Sequence, residues 1–161
     1  MGRSADYTRQ RCAIAASLHI IGEPWTLLIL RDAFRGLSRF EQWQESLGMA
    51  RNVLAARLKS LVAHGILEPR TYCERPRRQE YLLTDKGQEL EPVLFHLADW
   101  GTRNVYGEAH PMLELVHEGC GHAMTPVTHC SACDGRLGRD DVMLRQNPAA
   151  PTLAEVFAGE E

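Results

Sequence analysis

The chain has 161 residues, room for one domain of ordinary size and a small appendage but not for two full domains. Hydrophobic residues make up 44% and charged residues 24%, with 13 Gly and 8 Pro, a balance that excludes disordered and fibrous classes. The net charge of −3 excludes a generally basic nucleic-acid coat, yet it divides into +1 over residues 1–30, +4 over 31–86 and −8 over 87–161, the pattern of a local polyanion-binding surface joined to something acidic.

Residues 12–21 are rich in helix formers and stop at Gly22, so a first helix is predicted there. Pro24 suits the N1 position of a second helix that is apolar on nearly all sides and ends before Gly36, as a central core helix would be. Ser38-Arg39-Phe40-Glu41 fits an S-x-x-E capping box opening a short third helix to Leu47. After the tight Gly48-Met49-Ala50 connection, Val53, Leu54, Leu58, Leu61 and Val62 mark an amphipathic fourth helix that ends near Gly65 and leaves Arg51, Asn52, Arg57 and Lys59 outside. Two short helices across a Gly-containing turn, the second basic on its exposed face, make a helix-turn-helix candidate.

Ile66–Tyr72 and Gln79–Leu83 have strand character, and the Pro-broken basic stretch Cys73-Glu74-Arg75-Pro76-Arg77-Arg78 joins them. A helix-turn-helix followed by a hairpin with a basic tip is the winged-helix layout. Thr84-Asp85-Lys86-Gly87 is predicted to cap one long helix carrying Leu90, Val93, Leu94, Leu97 and Trp100 to about Tyr106. From His110-Pro111 onward Gly, His and Cys become dense, and residues 146–151 read as a linker before a mobile end in which Thr152-Leu-Ala-Glu155 caps one helical turn. The organisation expected is an N-terminal arm (1–11), a winged-helix and dimerisation domain (12–107), a Cys/His-rich extension (110–145) and a tail (146–161). The fold class is mainly α with a small β-hairpin wing.

These residues resemble the HxlR-type bacterial transcriptional regulators, winged-helix proteins related to the MarR group. The resemblance rests on Cys12-Ala13-Ile14, the run from Trp25 to Arg31, Ser38-Arg39-Phe40, Leu54-x-x-Arg57-Leu58 with Leu61, His64-Gly65-Ile66-Leu67, Arg77 with Glu80-Tyr81, Leu83-Thr84-x-Lys86-Gly87 and Asp99-Trp100-Gly101. It implies a homodimer held by N- and C-terminal helices, with two recognition helices meeting successive major grooves of double-stranded DNA. Ala50 departs from the family's small polar residue before the recognition helix.

A duplex is met first through phosphates and then read through base edges. Arg51 and Asn52, in the first turn of the recognition helix, suit guanine and adenine respectively. Arg57 is read as a phosphate or second-base contact. Arg39, at the start of the preceding helix, and Arg75, Arg77 and Arg78, in the wing, suit phosphate or minor-groove contacts. Arg31 is expected instead to form an internal ion pair.

The start of the chain lacks the apolar core of a signal peptide, and the apolar run around Trp25–Leu30 is too short to span a bilayer, so a cytoplasmic location and no membrane partner are expected. In a reducing compartment the five Cys read as ligands, sensors or packing residues and not as a disulfide framework. Cys12, in the first turn of a helix beside Arg9 and Arg11, suits a reactive thiolate. The resemblance implies sensing of oxidants, quinones or aldehydes at that place; the alternative is a small buried side chain at a dimer interface. Cys73 reads as incidental. His117-Glu-Gly-Cys120 and Cys130-Ser-Ala-Cys133 supply four ligands for a structural zinc ion, with His122 and His129 as alternate histidines. A Cys130–Cys133 redox pair and a metal-free loop are the competing readings.

No nucleophile elbow, phosphate loop or paired-carboxylate motif stands out in the sequence, so no enzyme is expected. The function expected is a sequence-specific DNA-binding transcriptional regulator, a repressor answering an electrophile, an oxidant or a small-molecule inducer. A winged helix that docks proteins in place of DNA is the alternative.

Overall fold

The computed structural model describes residue 7 and residues 9–107, 114–145 and 147–158. The chain divides into two units, one made of residues 1–88 together with 147–161 and the other of residues 89–146. The boundary expected at His110-Pro111 lies outside the described residues.

In the first unit, Cys12 is the extended N-cap of α1 (Ala13–Ile21) and Gly22 its C-cap. Helix α2 (Thr26–Phe34) begins later than Pro24 suggests, because Trp25 adopts a left-handed φ of 76° that a helical turn cannot contain. Its core face holds Ile29 and Leu30, while Trp25 and Leu28 stay partly exposed. Asp32 is buried with them: its carboxylate pairs with Arg31 at 2.7 Å and accepts the Ser46 hydroxyl at 2.7 Å. Arg31 thus forms the ion pair expected of it, with its own neighbour.

Helix α3 (Phe40–Leu47) has Arg39, not Ser38, as its N-cap. The reach-back role falls to Gln42, whose Oε1 accepts the Ser38 and Arg39 amides at 3.1 and 2.9 Å. Ser38 is used otherwise: its carbonyl accepts the Tyr81 amide at 2.7 Å, and Arg39 bridges to Glu80. The segment before α3 is thereby recruited as a short third edge to the wing. Trp43 is fully buried and donates its indole N–H to the Ile29 carbonyl at 3.2 Å, locking α3 onto α2. Gly48, at φ 62°, turns the chain toward α4 (Arg51–Ala63). Ala50 caps α4 without a side-chain hydrogen bond, and Leu54, Leu58 and Leu61 fill the core, each contributing about 2 kcal/mol by burial.

Strands β1 (Leu67–Glu74) and β2 (Arg77–Leu83) pair antiparallel and run closer to the tip than their composition suggests. A bulge falls at Tyr72, between the pairs Thr71–Gln79 and Cys73–Arg78. At the base of the wing the Thr84 hydroxyl donates to the Gly65 carbonyl at 2.6 Å and accepts the Gly87 amide at 3.1 Å, and Lys86 reaches the His64 carbonyl at 2.8 Å.

The long helix expected after Thr84 is two: α5 (Asp85–Gln88) and α6 (Glu91–Gly101). Pro92 explains the break, since it has no amide to donate and its ring would meet the Gln88 carbonyl in a continuous helix. Beyond α6 the chain widens into a π-helical turn over Thr102–Tyr106, closed by the Gly107 amide on the Thr102 carbonyl at 3.0 Å. No residue of α6 is buried; Val93, Leu97 and Trp100 are 50%, 47% and 55% exposed. The second unit continues as two small hairpins, the first formed by β3 (Val116–His117) and β4 (His122–Ala123), the second bridged at His129–Arg136.

Residues 147–157 return to the first unit, where a mobile end was expected. In α7 (Leu153–Val156) Thr152 and Glu155 form the expected capping pair, Leu153 is buried, and its amide donates to the Gln10 carbonyl at 3.1 Å. Phe157 stacks on His19 with centroids 4.7 Å apart. One buried leucine and one ring contact seat an end expected to be mobile. Among the described residues no single helix is long and apolar enough to cross a membrane.

Candidate nucleic-acid interface

The N-terminal ends of α3 and α4 and the wing face one open groove. Arg39, Arg51, Arg77 and Arg78 line it, with Glu41 as the acid among the lining residues. The arginines arrive from three elements: Arg39 from the α3 cap, Arg51 from the first turn of α4, and Arg77 and Arg78 from β2. Glu80, beside the groove, is neutralised by Arg70, whose Nε and Nη2 donate to the same carboxylate oxygen at 2.9 and 2.7 Å. Glu80 is therefore already paired within the wing.

Two of the four arginines are held over aromatic rings. The Arg39 guanidinium lies 4.5 Å from the Tyr72 centroid and that of Arg51 lies 4.6 Å from the Phe40 centroid. Arg51 also donates to the Gln44 side chain at 3.3 Å. A cation held over a ring keeps its N–H edges free for phosphate or base acceptors while losing side-chain freedom in advance.

The predicted contact residues do not all converge. Asn52 is exposed beside Arg51, and Arg75 is exposed at the wing tip; neither lines the groove. Arg57 does not line the groove either: its side chain is 25% exposed and pairs with Glu23 at 3.3 Å, in the connection between α1 and α2. Position two turns into α4 places it against that connection and not beside Arg51. Conversely, Tyr72, Phe40 and Gln79 line the groove without having been expected at the interface. Tyr72 owes its place to the bulge, which re-aims a strand side chain and leaves no mark in a strand-like sequence.

Cys12 is exposed at the α1 N-cap and makes no side-chain capping bond. Cys73 is half-buried in β1, its sulfur 3.6 Å from the Arg75 carbonyl. The metal-ligand candidates occur as two pairs. His117 Nδ1 is 3.1 Å from Cys120 Sγ. Cys130 receives hydrogen bonds from the Ala132 and Cys133 amides and from the Cys133 side chain, which hold its thiol below the ordinary pKa. His129 is engaged by its own turn, with Nδ1 2.9 Å from the Asp134 carbonyl. Among the described residues no three such side chains lie together.

A family model described as HxlR-like helix-turn-helix matches residues 20–109. An uncharacterised HTH-type transcriptional regulator of Mycobacterium tuberculosis (strain ATCC 25618 / H37Rv) is 35% identical over 136 residues, covering 84% of this chain and 86% of the relative. Among solved structures, PA1607, described as a transcription factor, is 35% identical with a TM-score of 0.76, covering 88% of this chain and 99% of that one. The reduced form of HypR, described as a redox regulator, is 27% identical with a TM-score of 0.55, covering 62% and 100%.

Proposed function

The chain belongs to the HxlR-like helix-turn-helix family of DNA-binding transcriptional regulators, and from that premise we propose a homodimeric, cytoplasmic repressor that reads its operator through the arginine groove and is released by an electrophile or oxidant. The observation that carries the reading is the convergence of Arg39, Arg51, Arg77 and Arg78 on one groove. Arg51, at the N-terminal end of the recognition helix, is the base-reading residue, and the wing arginines hold phosphate. Arg57 supports the helix pair from behind through Glu23.

Dimerisation is supported by α6, which presents Val93, Leu97 and Trp100 without burying any of them. An eleven-residue helix with that face open gains its stability from packing that a second copy would supply. The inducer reading is supported by the exposed Cys12 at a helix start and by the likeness to HypR, itself described as a redox regulator. A gel shift on the DNA upstream of the protein's own gene tests the regulator reading. Wild type binds it in preference to scrambled DNA, whereas Arg51→Ala and Arg77→Ala weaken the shift; variants that bind like wild type would leave the protein-docking alternative standing.

A further inference from the structure

The two hairpins of the second unit are the same turn built twice, thirteen residues apart. In the first, the His117 carbonyl accepts the Gly121 amide at 2.7 Å, Gly121 has φ 71°, and His117 pairs with His122. In the second, the Cys130 carbonyl accepts the Asp134 amide at 2.8 Å, Asp134 has φ 57°, and the Cys130 amide donates to the Gly135 carbonyl at 2.9 Å. The ladders extend outward alike, by Met124 to Leu115 at 2.7 Å and by Leu137 to Thr128 at 2.8 Å. Asp is among the few non-glycine residues that enter the left-handed region readily, so Asp134 can take the place that Gly121 has in the first turn.

Each turn brings its first and fourth side chains together. Tetrahedral zinc with bonds of about 2.3 Å to sulfur and about 2.0 Å to nitrogen sets neighbouring ligands about 3.5 Å apart; His117 Nδ1 and Cys120 Sγ stand at 3.1 Å. Gly119 leaves room for the imidazole, since a Cβ there would stand 3.0 Å from His117 Cε1. In the second turn two amides point at the Cys130 sulfur, the arrangement that shields a thiolate bound to a cation.

We propose that the paired turns are two halves of one zinc site, in which His117 through Nδ1, Cys120, Cys130 and Cys133 hold a single ion and thereby close the second hairpin on the first. The donor set is one imidazole and three thiols, the soft and borderline combination that suits zinc and leaves no open position for catalysis. His117 is taken as the imidazole because its Nδ1 already stands 3.1 Å from the Cys120 sulfur, whereas the Nδ1 of His129 is engaged by the Asp134 carbonyl. The ion would order a segment with few apolar side chains to bury.

The test uses the full chain without an affinity tag, stripped with chelator under reducing conditions and titrated with Co2+. The expected result is saturation at one cobalt per chain, with thiolate charge-transfer and tetrahedral ligand-field bands that one equivalent of Zn2+ abolishes. Cys120→Ala and Cys133→Ala each lower the charge-transfer intensity by about a third, as loss of one of three thiolates requires. His117→Cys retains the ion and raises that intensity, and His122→Ala and His129→Ala match wild type. No cobalt bands, saturation at one cobalt per two chains, undiminished bands in Cys120→Ala, or loss of the ion in His129→Ala would each overturn the proposal. None of these readouts depends on DNA binding.

Discussion

Tyr72 stands out of β1 at the bulge and carries the Arg39 guanidinium 4.5 Å from its ring centroid. Tyr72→Ala removes the ring but no charge. An exposed cation–π contact is worth about 0.5–1 kcal/mol, so freeing the guanidinium should weaken DNA binding about two- to fivefold per half-site. The slope of log affinity against log salt should not move, because the number of phosphates neutralised is unchanged. Arg39→Ala removes the charge as well, costs more, and lowers that slope by about 0.9 per half-site. Tyr72→Phe keeps the ring and should behave as wild type. Fluorescence anisotropy on a duplex from upstream of the protein's own gene, repeated across a KCl series, reads affinity and slope together. Wild-type affinity in Tyr72→Ala, or a slope reduced as much as in Arg39→Ala, would refute the positioning argument.

Gly87→Ala would drive a methyl group into the Ile66 carbonyl at the joint between wing and α5; overpacking costs about 1–3 kcal/mol, so thermal unfolding should move down by roughly 2–4 °C per kcal/mol. An unchanged midpoint would mean that the joint is loose. Cys12→Ser should abolish the response of operator binding to diamide or a quinone while leaving basal binding intact, and a response equal to that of wild type would dispose of Cys12 as the sensor. The tail should respond to acid: hydrogen bonds from Thr152 hold the Glu155 carboxyl below its ordinary pKa, so their contribution is present above the unfolded value and is lost as pH falls through the folded one. Hydrogen exchange, corrected for its intrinsic pH dependence, should show protection at Val156 and Phe157 falling in that window; constant protection there would contradict the assignment.

The helix-turn-helix was legible because it is written in local terms. The 3.6-residue spacing of Leu54, Leu58 and Leu61, the turn glycine at 48 and the basic outer face of α4 are all short-range signals. What sequence reasoning misplaced depends on longer reach. Ser38 has the side chain of an N-cap, but its carbonyl is needed by Tyr81, and the cap moved to Arg39. Arg57 has the charge of a DNA contact, but Glu23 lies within 3.3 Å of it, a pairing no window around residue 57 contains. The end of the chain reads as mobile, yet Leu153 and Phe157 find Gln10 and His19 far upstream in the chain. Pro92 is the exception: its power to split a helix is local, and the break between α5 and α6 is written at that one position.

The central claim, that this groove reads DNA sequence, is tested most directly by measuring binding of wild type and Arg51→Ala to the native upstream duplex and to a scrambled duplex of equal length across a salt series. The account predicts that wild-type affinity for both falls linearly on a log–log salt plot, with the native duplex preferred. It also predicts that Arg51→Ala loses about 5- to 150-fold per half-site on the native duplex, the equivalent of about 1–3 kcal/mol for one bidentate base contact, with a much smaller loss on the scrambled one. Equal affinity for the two duplexes, or an Arg51→Ala variant that discriminates between them as well as wild type does, would contradict it.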